Sequence, residues 1–167
     1  MDVMEAIRTR RSIRAYKPDP VPEEKLMACL EAARLAPSAG NRQPWLFIVV
    51  RDPQVKEKLR EAYGAEWFYQ APVIICACGS PDCAWTRSDG KCYCDVDVTI
   101  AMDHLILEAW EQGLGTCWIG AFDAEKVKEV LDIPEDYEPI AMTPLGFPAE
   151  QPAPKPRKPL EEIVRFV

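Results

Sequence analysis

Apolar positions along this chain switch between a helical and an extended period, and each switch marks an element. Val3, Met4 and Ile7 form an apolar stripe behind Asp2 and Glu5, an approximate capping box, and predict a short helix to about Arg10. Pro18, Pro20 and Pro22 enforce an extended connection, because each fixes φ and lacks an N–H. A second helix is predicted over 23–36, with Leu26, Leu30 and Ala33 at helical spacing, and Pro37 ends it. Residues 37–44 have turn composition, and the continuous apolar run 45–50 has strand length. Asp52 and Pro53 open a third helix to about Tyr63, with Val55 and Leu59 facing inward.

Further strands are expected at 72–78, 116–119 and 139–145, and a helix capped by Asp123 runs to about Leu131. The longest pattern covers 95–112, where Val98, Ala101, Met102, Leu105, Ile106 and Ala109 span a wider arc than packing on one sheet needs. That excess predicts a subunit interface. Gly113 is placed to end this helix in a left-handed conformation. Helices and strands mix without strict alternation, which predicts an α+β sandwich with a small mixed sheet flanked by helices. Its 167 residues fit a single domain, 1–167, with a sizeable core.

Charge changes the picture in one place. The net charge is −7, which argues against nucleic acid or an anionic membrane as partner, since both reward basic surface. Yet Arg8, Arg10, Arg11, Ser12 and Arg14 fall within seven residues. Guanidinium forks match phosphate oxygens in pairs, so the run is either an anion site or a solvated basic face. A second basic group lies in the stretch 148–159, whose five prolines and three basic residues predict an extended C-terminal arm, followed by a short segment 160–167.

No charged-then-apolar leader and no membrane-length apolar run is visible, so a soluble, cytoplasmic protein is expected. Seven cysteines, an odd number, fit a reducing compartment better than a disulfide framework. Cys76, Cys78, Cys83, Cys92 and Cys94 could ligate a metal, but C-x-C on a strand turns both thiols to one face without the tight turn of a tetrahedral site. No metal site is expected. Gly113, Gly115 and Gly120 follow a helix and open a strand, the reverse of a dinucleotide fingerprint. His104, the sole histidine, sits mid-helix with no nucleophile near it in sequence and reads as a core or interface residue. Sparse side-chain chemistry favours a bound cofactor that brings its own.

Four segments in order and spacing resemble the FMN-dependent nitroreductase family: residues 10–14 (RRSIR), 37–45 (PSAGNRQPW), 113–120 (GLGTCWIG) and 155–159 (KPRKP). The resemblance spans nearly the whole chain. It implies a nitroreductase-like α+β sandwich and a homodimer with two FMN sites at the subunit interface. Arg10, Arg11 and Ser12 match positions that hold the FMN phosphate and ribityl chain, and Arg14 one near the pyrimidine edge of the flavin. Lys155 and Arg157 match the basic pair that closes over the phosphate. Pro37, Ser38 and Ala39, with Asn41 and Gln43, match a loop from the other subunit that lies against the ring. Ile119, Gly120 and Ala121 match the turn whose backbone N–H groups approach flavin N5. Arg8 has no family match and reads as ordinary surface charge.

The resemblance implies transfer of electrons from NAD(P)H through flavin N5 to a small electron-poor acceptor, of nitroaromatic or quinone type, with no indispensable side-chain acid or base. This chain departs from the family at 64–67, which offers neither the asparagine nor the lysine that many relatives place near the flavin, and it lacks their larger helical insertion. The cysteine-rich loop with Trp85, Arg87 and Asp89 falls where such a cover would sit. Two alternatives remain at this level: other flavin chemistry on the same scaffold, such as dehalogenation, dehydrogenation or flavin breakdown, and a cysteine-based metal or redox sensor.

Overall fold

The computed structural model describes residues 2–167. Four strands form one sheet in the order β1-β2-β4-β3: β1 (Trp45–Val50), β2 (Val73–Gly79), β3 (Gly115–Thr116) and β4 (Glu138–Gly146). All three ladders are antiparallel. The mixed sheet expected from sequence is therefore corrected. Its one parallel pairing lies outside the named strands, where Ser12 bridges Thr116.

Four α-helices cover the two faces. On one, α2 (Glu23–Arg34) and α4 (Cys94–Glu111) pack Leu26, Ala33, Val98, Met102 and Leu105 against Ile75, Ala77, Ala141 and Leu145. On the other, α3 (Pro53–Leu59), α5 (Ala124–Val130) and a 3-10 turn, Glu66–Gln70, bring Leu59, Val127 and Phe68 against Ile74, Cys76, Cys78 and Met142. Alternate β2 residues thus serve opposite cores, which explains why that strand reads as continuously apolar. Caps set the helix starts. Asp2 accepts the Glu5 N–H at 2.8 Å to open α1 (Val3–Thr9), Asp52 accepts the Gln54 N–H at 2.7 Å, and Asp123 accepts the Lys126 N–H at 3.2 Å.

Several sequence expectations move. The α1 stripe of Val3, Met4 and Ile7 faces outward, and only Ala6 of that helix is buried. Much of the wide apolar arc of α4 packs within the chain, on α2 and on the sheet, while Val96 is exposed and Ile100 half-buried. The third strand is shorter than expected because Cys117 leaves the ladder, its N–H turning to the Thr143 hydroxyl at 3.0 Å. His104, expected as a core or interface residue, is half-buried on α4. The 3-10 turn at Glu66–Gln70 has no helical period in the sequence; it is held by edge-to-face contacts of Phe68 with Tyr63, Trp67 and Tyr69.

The segment following α1 is fastened to β3. The Ile13 N–H donates to the Thr116 carbonyl at 2.9 Å, and Ile13, 1% exposed, lies directly on Gly115. A Cβ at Gly115 would stand 2.7 Å from Ile13 Cγ1. Gly115→Ala is therefore expected to cost about 1–3 kcal/mol by overpacking, read as a lower denaturant midpoint at unchanged slope.

Candidate functional site

A backbone seam brings the two basic segments together. Beyond Ile13, the chain pairs with residues following β4: Lys17 N–H donates to Phe147 O and Ala149 N–H to Ala15 O, each at 2.9 Å, with Tyr16 bridging Pro148. Tyr16 is buried, its hydroxyl donates to the Ile13 carbonyl at 2.7 Å, and burial raises its pKa. Glu150 accepts the backbone N–H of Arg14. The proline-rich arm thus leaves the seam alongside the arginine run.

Between them lies a cavity of about 400 Å³, lined among others by Arg10, Arg11, Ser12, Arg14, Lys155 and Arg157. Six of the fourteen residues predicted from sequence converge here. Arg8, read from the sequence as ordinary surface charge, is exposed and lines the same cavity. Among the described residues, none of these cations is ion-paired. Arg11 is partly committed, since its Nη1 donates to the carbonyls of Arg8 and Arg10 at 2.9 and 2.8 Å and closes the end of α1. The Arg14 guanidinium lies 5.9 Å from the centroid of Trp67, so the segment lacking the family's usual polar residues supplies an aromatic support for Arg14 instead. Nothing in the spacing of the sequence signals the Trp67, Tyr16 or Glu150 contacts.

Beneath the run, Ser12 bridges Thr116, the residue before Cys117. Burial pushes the Cys117 thiol up, while Arg14, the Ser12 hydroxyl and Arg10 draw it partly back. The turn at 119–121 leaves from the same edge. Ile119 is fixed by paired backbone bonds with Met142 at 2.8 and 2.9 Å, and Gly120 and Ala121 stand exposed beyond it.

The third predicted group lies elsewhere. Asp97, in the first turns of α4 and 1% exposed, accepts the Ala39 N–H at 2.9 Å; its other oxygen has no partner. The Ser38 hydroxyl accepts the Gln43 N–H at 3.0 Å, and Gly40, Asn41 and Gln43 all have positive φ. The 37–43 loop is thus a tightly wound element with Pro37, Asn41 and Gln43 exposed. Trp110, near the other end of α4, donates to the Thr9 hydroxyl at 2.9 Å at the end of α1. Positions 97 and 110 of one helix are about 20 Å apart at 1.5 Å per residue. Within one chain the loop and the basic cavity therefore occupy opposite ends of α4.

The donor set of the cavity fits the phosphate end of FMN: forked guanidiniums, a lysine and a hydroxyl, with no competing ion pair among the described residues. The cysteines make no comparable site. Cys76 and Cys78 face one core with sulfurs 3.7 Å apart, Cys94 faces the other, and Cys83 and Cys92 are exposed. Among the described residues no three His, Cys, Asp or Glu groups are placed to hold a metal ion.

Fold and cavity define an α+β protein with an anion cradle at a sheet edge. The nitroreductase family model matches residues 7–67 and 60–147, and the chain belongs to the nitroreductase family. That makes it an NAD(P)H-dependent flavin oxidoreductase by class. It is 34% identical to an NADH dehydrogenase of Thermus thermophilus, over 98% of this chain and 95% of that protein. It is 30% identical to an FMN reductase [NAD(P)H] of Bacillus subtilis, over 97% and 72%. A solved nitroreductase family protein from Clostridium difficile superposes with a TM-score of 0.91 at 37% identity, covering 99% of this chain and 98% of that one. No helix among the described residues is long and apolar enough to cross a membrane.

Two predictions test this geometry. Asp97→Ala strands the part-buried Ala39 N–H and is expected to cost about 1–3 kcal/mol and speed exchange of that amide, while Asp97→Asn, which keeps an acceptor, costs less; native-state hydrogen exchange reads both. Brief iodoacetamide treatment at neutral pH should label Cys83 and Cys92 alone, seen by peptide mass mapping. The others are buried, and burial pushes the Cys29 and Cys94 thiols up to about 12.

Proposed function

We propose that residues 1–167 form one FMN-binding domain that carries electrons from NAD(P)H to a small electron-poor acceptor, of nitroaromatic or quinone type, as part of a homodimer. The observation that carries this reading is the convergence of Arg10, Arg11, Ser12, Lys155 and Arg157 on one unpaired cationic cavity. When bound, FMN supplies the hydride-accepting and electron-donating centre. The side chains do the rest. Arg10, Lys155 and Arg157 hold the phosphate with charge-assisted bonds, and Ser12 adds a hydroxyl between them. Arg14, steadied on Trp67, sets a positive charge beside the pyrimidine edge, which favours the reduced form. Backbone N–H groups of Gly120 and Ala121 serve the N5 side, from a turn whose exposure leaves room for donor and acceptor in succession.

The homodimer is favoured by two observations. The 37–43 loop cannot reach the basic cavity of its own chain, so Pro37, Ser38, Ala39, Asn41 and Gln43 would cover the ring held by a second copy. Apolar side chains also stand uncovered on one chain: Val3, Met4 and Ile7 on α1, and Leu160, Ile163, Val164 and Phe166 at the end. Exposed apolar surface of this extent is what subunit association covers. The seven free thiols favour a reducing cytoplasm as the place of work.

Replacing both Arg10 and Arg157 with alanine tests the phosphate assignment. Each lost charge-assisted contact is worth about 1.5–3 kcal/mol, so FMN affinity should fall by a factor on the order of a hundred or more. Flavin fluorescence quenching measures it, and unchanged affinity would remove the assignment.

A further inference from the structure

Resting on the FMN reading above, we infer that the basic cavity holds a second phosphate group, contributed by the nucleotide donor and received by Arg8. Six cationic side chains line this one space: Arg8, Arg10, Arg11, Arg14, Lys155 and Arg157. A bound flavin phosphate brings at most about two negative charges. Glu150, bonded to the Arg14 N–H at the rim, adds one more. About three positive charges stay uncompensated in a chain whose net charge is −7. Like charges gathered in a concave site repel, and the ion that relieves them is a second anion.

Arg8 is the group best placed to take it. Arg11 spends one guanidinium nitrogen on the carbonyls of Arg8 and Arg10, and Arg14 rests on Trp67. Arg8 sits in the last turn of α1 on the cavity wall, exposed, and among the described residues nothing bonds its guanidinium. The flavin's substrate in its reductive half-reaction is a dinucleotide, which carries a pyrophosphate and, in NADPH, a 2′-phosphate as well. Either group matches a free guanidinium fork. Arg8 then belongs to donor binding rather than to the flavin clamp, and it is the residue that sets how strongly the enzyme feels the donor's phosphates.

The test is isothermal titration of the FMN-loaded protein with 2′,5′-ADP, 5′-ADP and inorganic phosphate, for wild type, Arg8→Gln and Arg8→Lys. Wild type should bind an adenosine nucleotide with an affinity that falls as salt rises. Arg8→Gln should weaken it on the order of tenfold and Arg8→Lys much less, with the flavin spectrum and FMN content unchanged. Tighter binding of 2′,5′-ADP than of 5′-ADP, with a matching rise in KM for NADPH only, assigns the 2′-phosphate; tighter binding of 5′-ADP, the one of the two that carries a diphosphate, with KM rising for both donors, assigns the pyrophosphate. The inference is overturned if neither nucleotide binds, if inorganic phosphate binds as well as either nucleotide, an adventitious ion only, or if Arg8→Gln leaves nucleotide binding intact. It is overturned equally if Arg8→Gln releases FMN, which would place Arg8 in the flavin clamp. Failure of the wild-type protein to take up FMN is a separate result and would remove the function proposed above.

Discussion

The site depends on a short backbone seam at the edge of the sheet. Residues 12–17 are pinned between β3 on one side and residues 147–149 on the other, by three backbone hydrogen bonds of 2.9 Å and by the packing of Ile13 onto Gly115. Neither basic segment has a fold of its own. The arginine run follows the end of a seven-residue helix, and the arm is a proline-stiffened strand of exposed residues. Their meeting is a consequence of where the sheet stops. β3 is only two residues long, so its edge is open to the 12–17 segment, and β4 delivers the chain directly to the other side of that segment.

Electrostatics and topology then reinforce each other. An acidic protein gains little from gathering arginines unless an anion is to be held there, and steering by a local positive field is strongest where the remaining surface is negative. On the arginine side the cavity wall follows backbone that is already hydrogen-bonded, so that half needs little reordering when a phosphate arrives. The opposite end of α4 works by a different physics. A buried carboxylate, Asp97, fixes a loop of small residues and positive-φ turns, an element suited to lying flat against an aromatic surface rather than to binding charge. One long helix separates the loop from the basic cavity by about 20 Å.

Much of this was legible in the sequence, and the failures have identifiable causes. Local signals carried well: Asp52-Pro53 and Asp123 cap the helices they were expected to cap, and the apolar runs at 45–50, 72–78 and 139–145 are strands within a residue or two. Ladder direction did not, because antiparallel and parallel pairing leave the same trace in a strand buried on both faces. The arc of α4 carries a related ambiguity: period reveals how much of a helix is apolar but not how many layers cover it. The stripe on α1 has correct spacing and the opposite destination, since a pattern cannot distinguish a core from a surface awaiting a partner. Within the site, the basic residues stood out by type, whereas Trp67, Tyr16 and Glu150 act through tertiary contacts that no local pattern encodes.

The central claim is that the seam builds a phosphate cradle and that the cradle anchors the flavin. Equilibrium titration of the flavin-free protein with FMN and with riboflavin isolates it, because the two ligands differ only by the phosphate. The account predicts that FMN binds at least on the order of a hundredfold more tightly than riboflavin, with a gap that narrows as salt rises. Equal affinity for the two at low salt would contradict it.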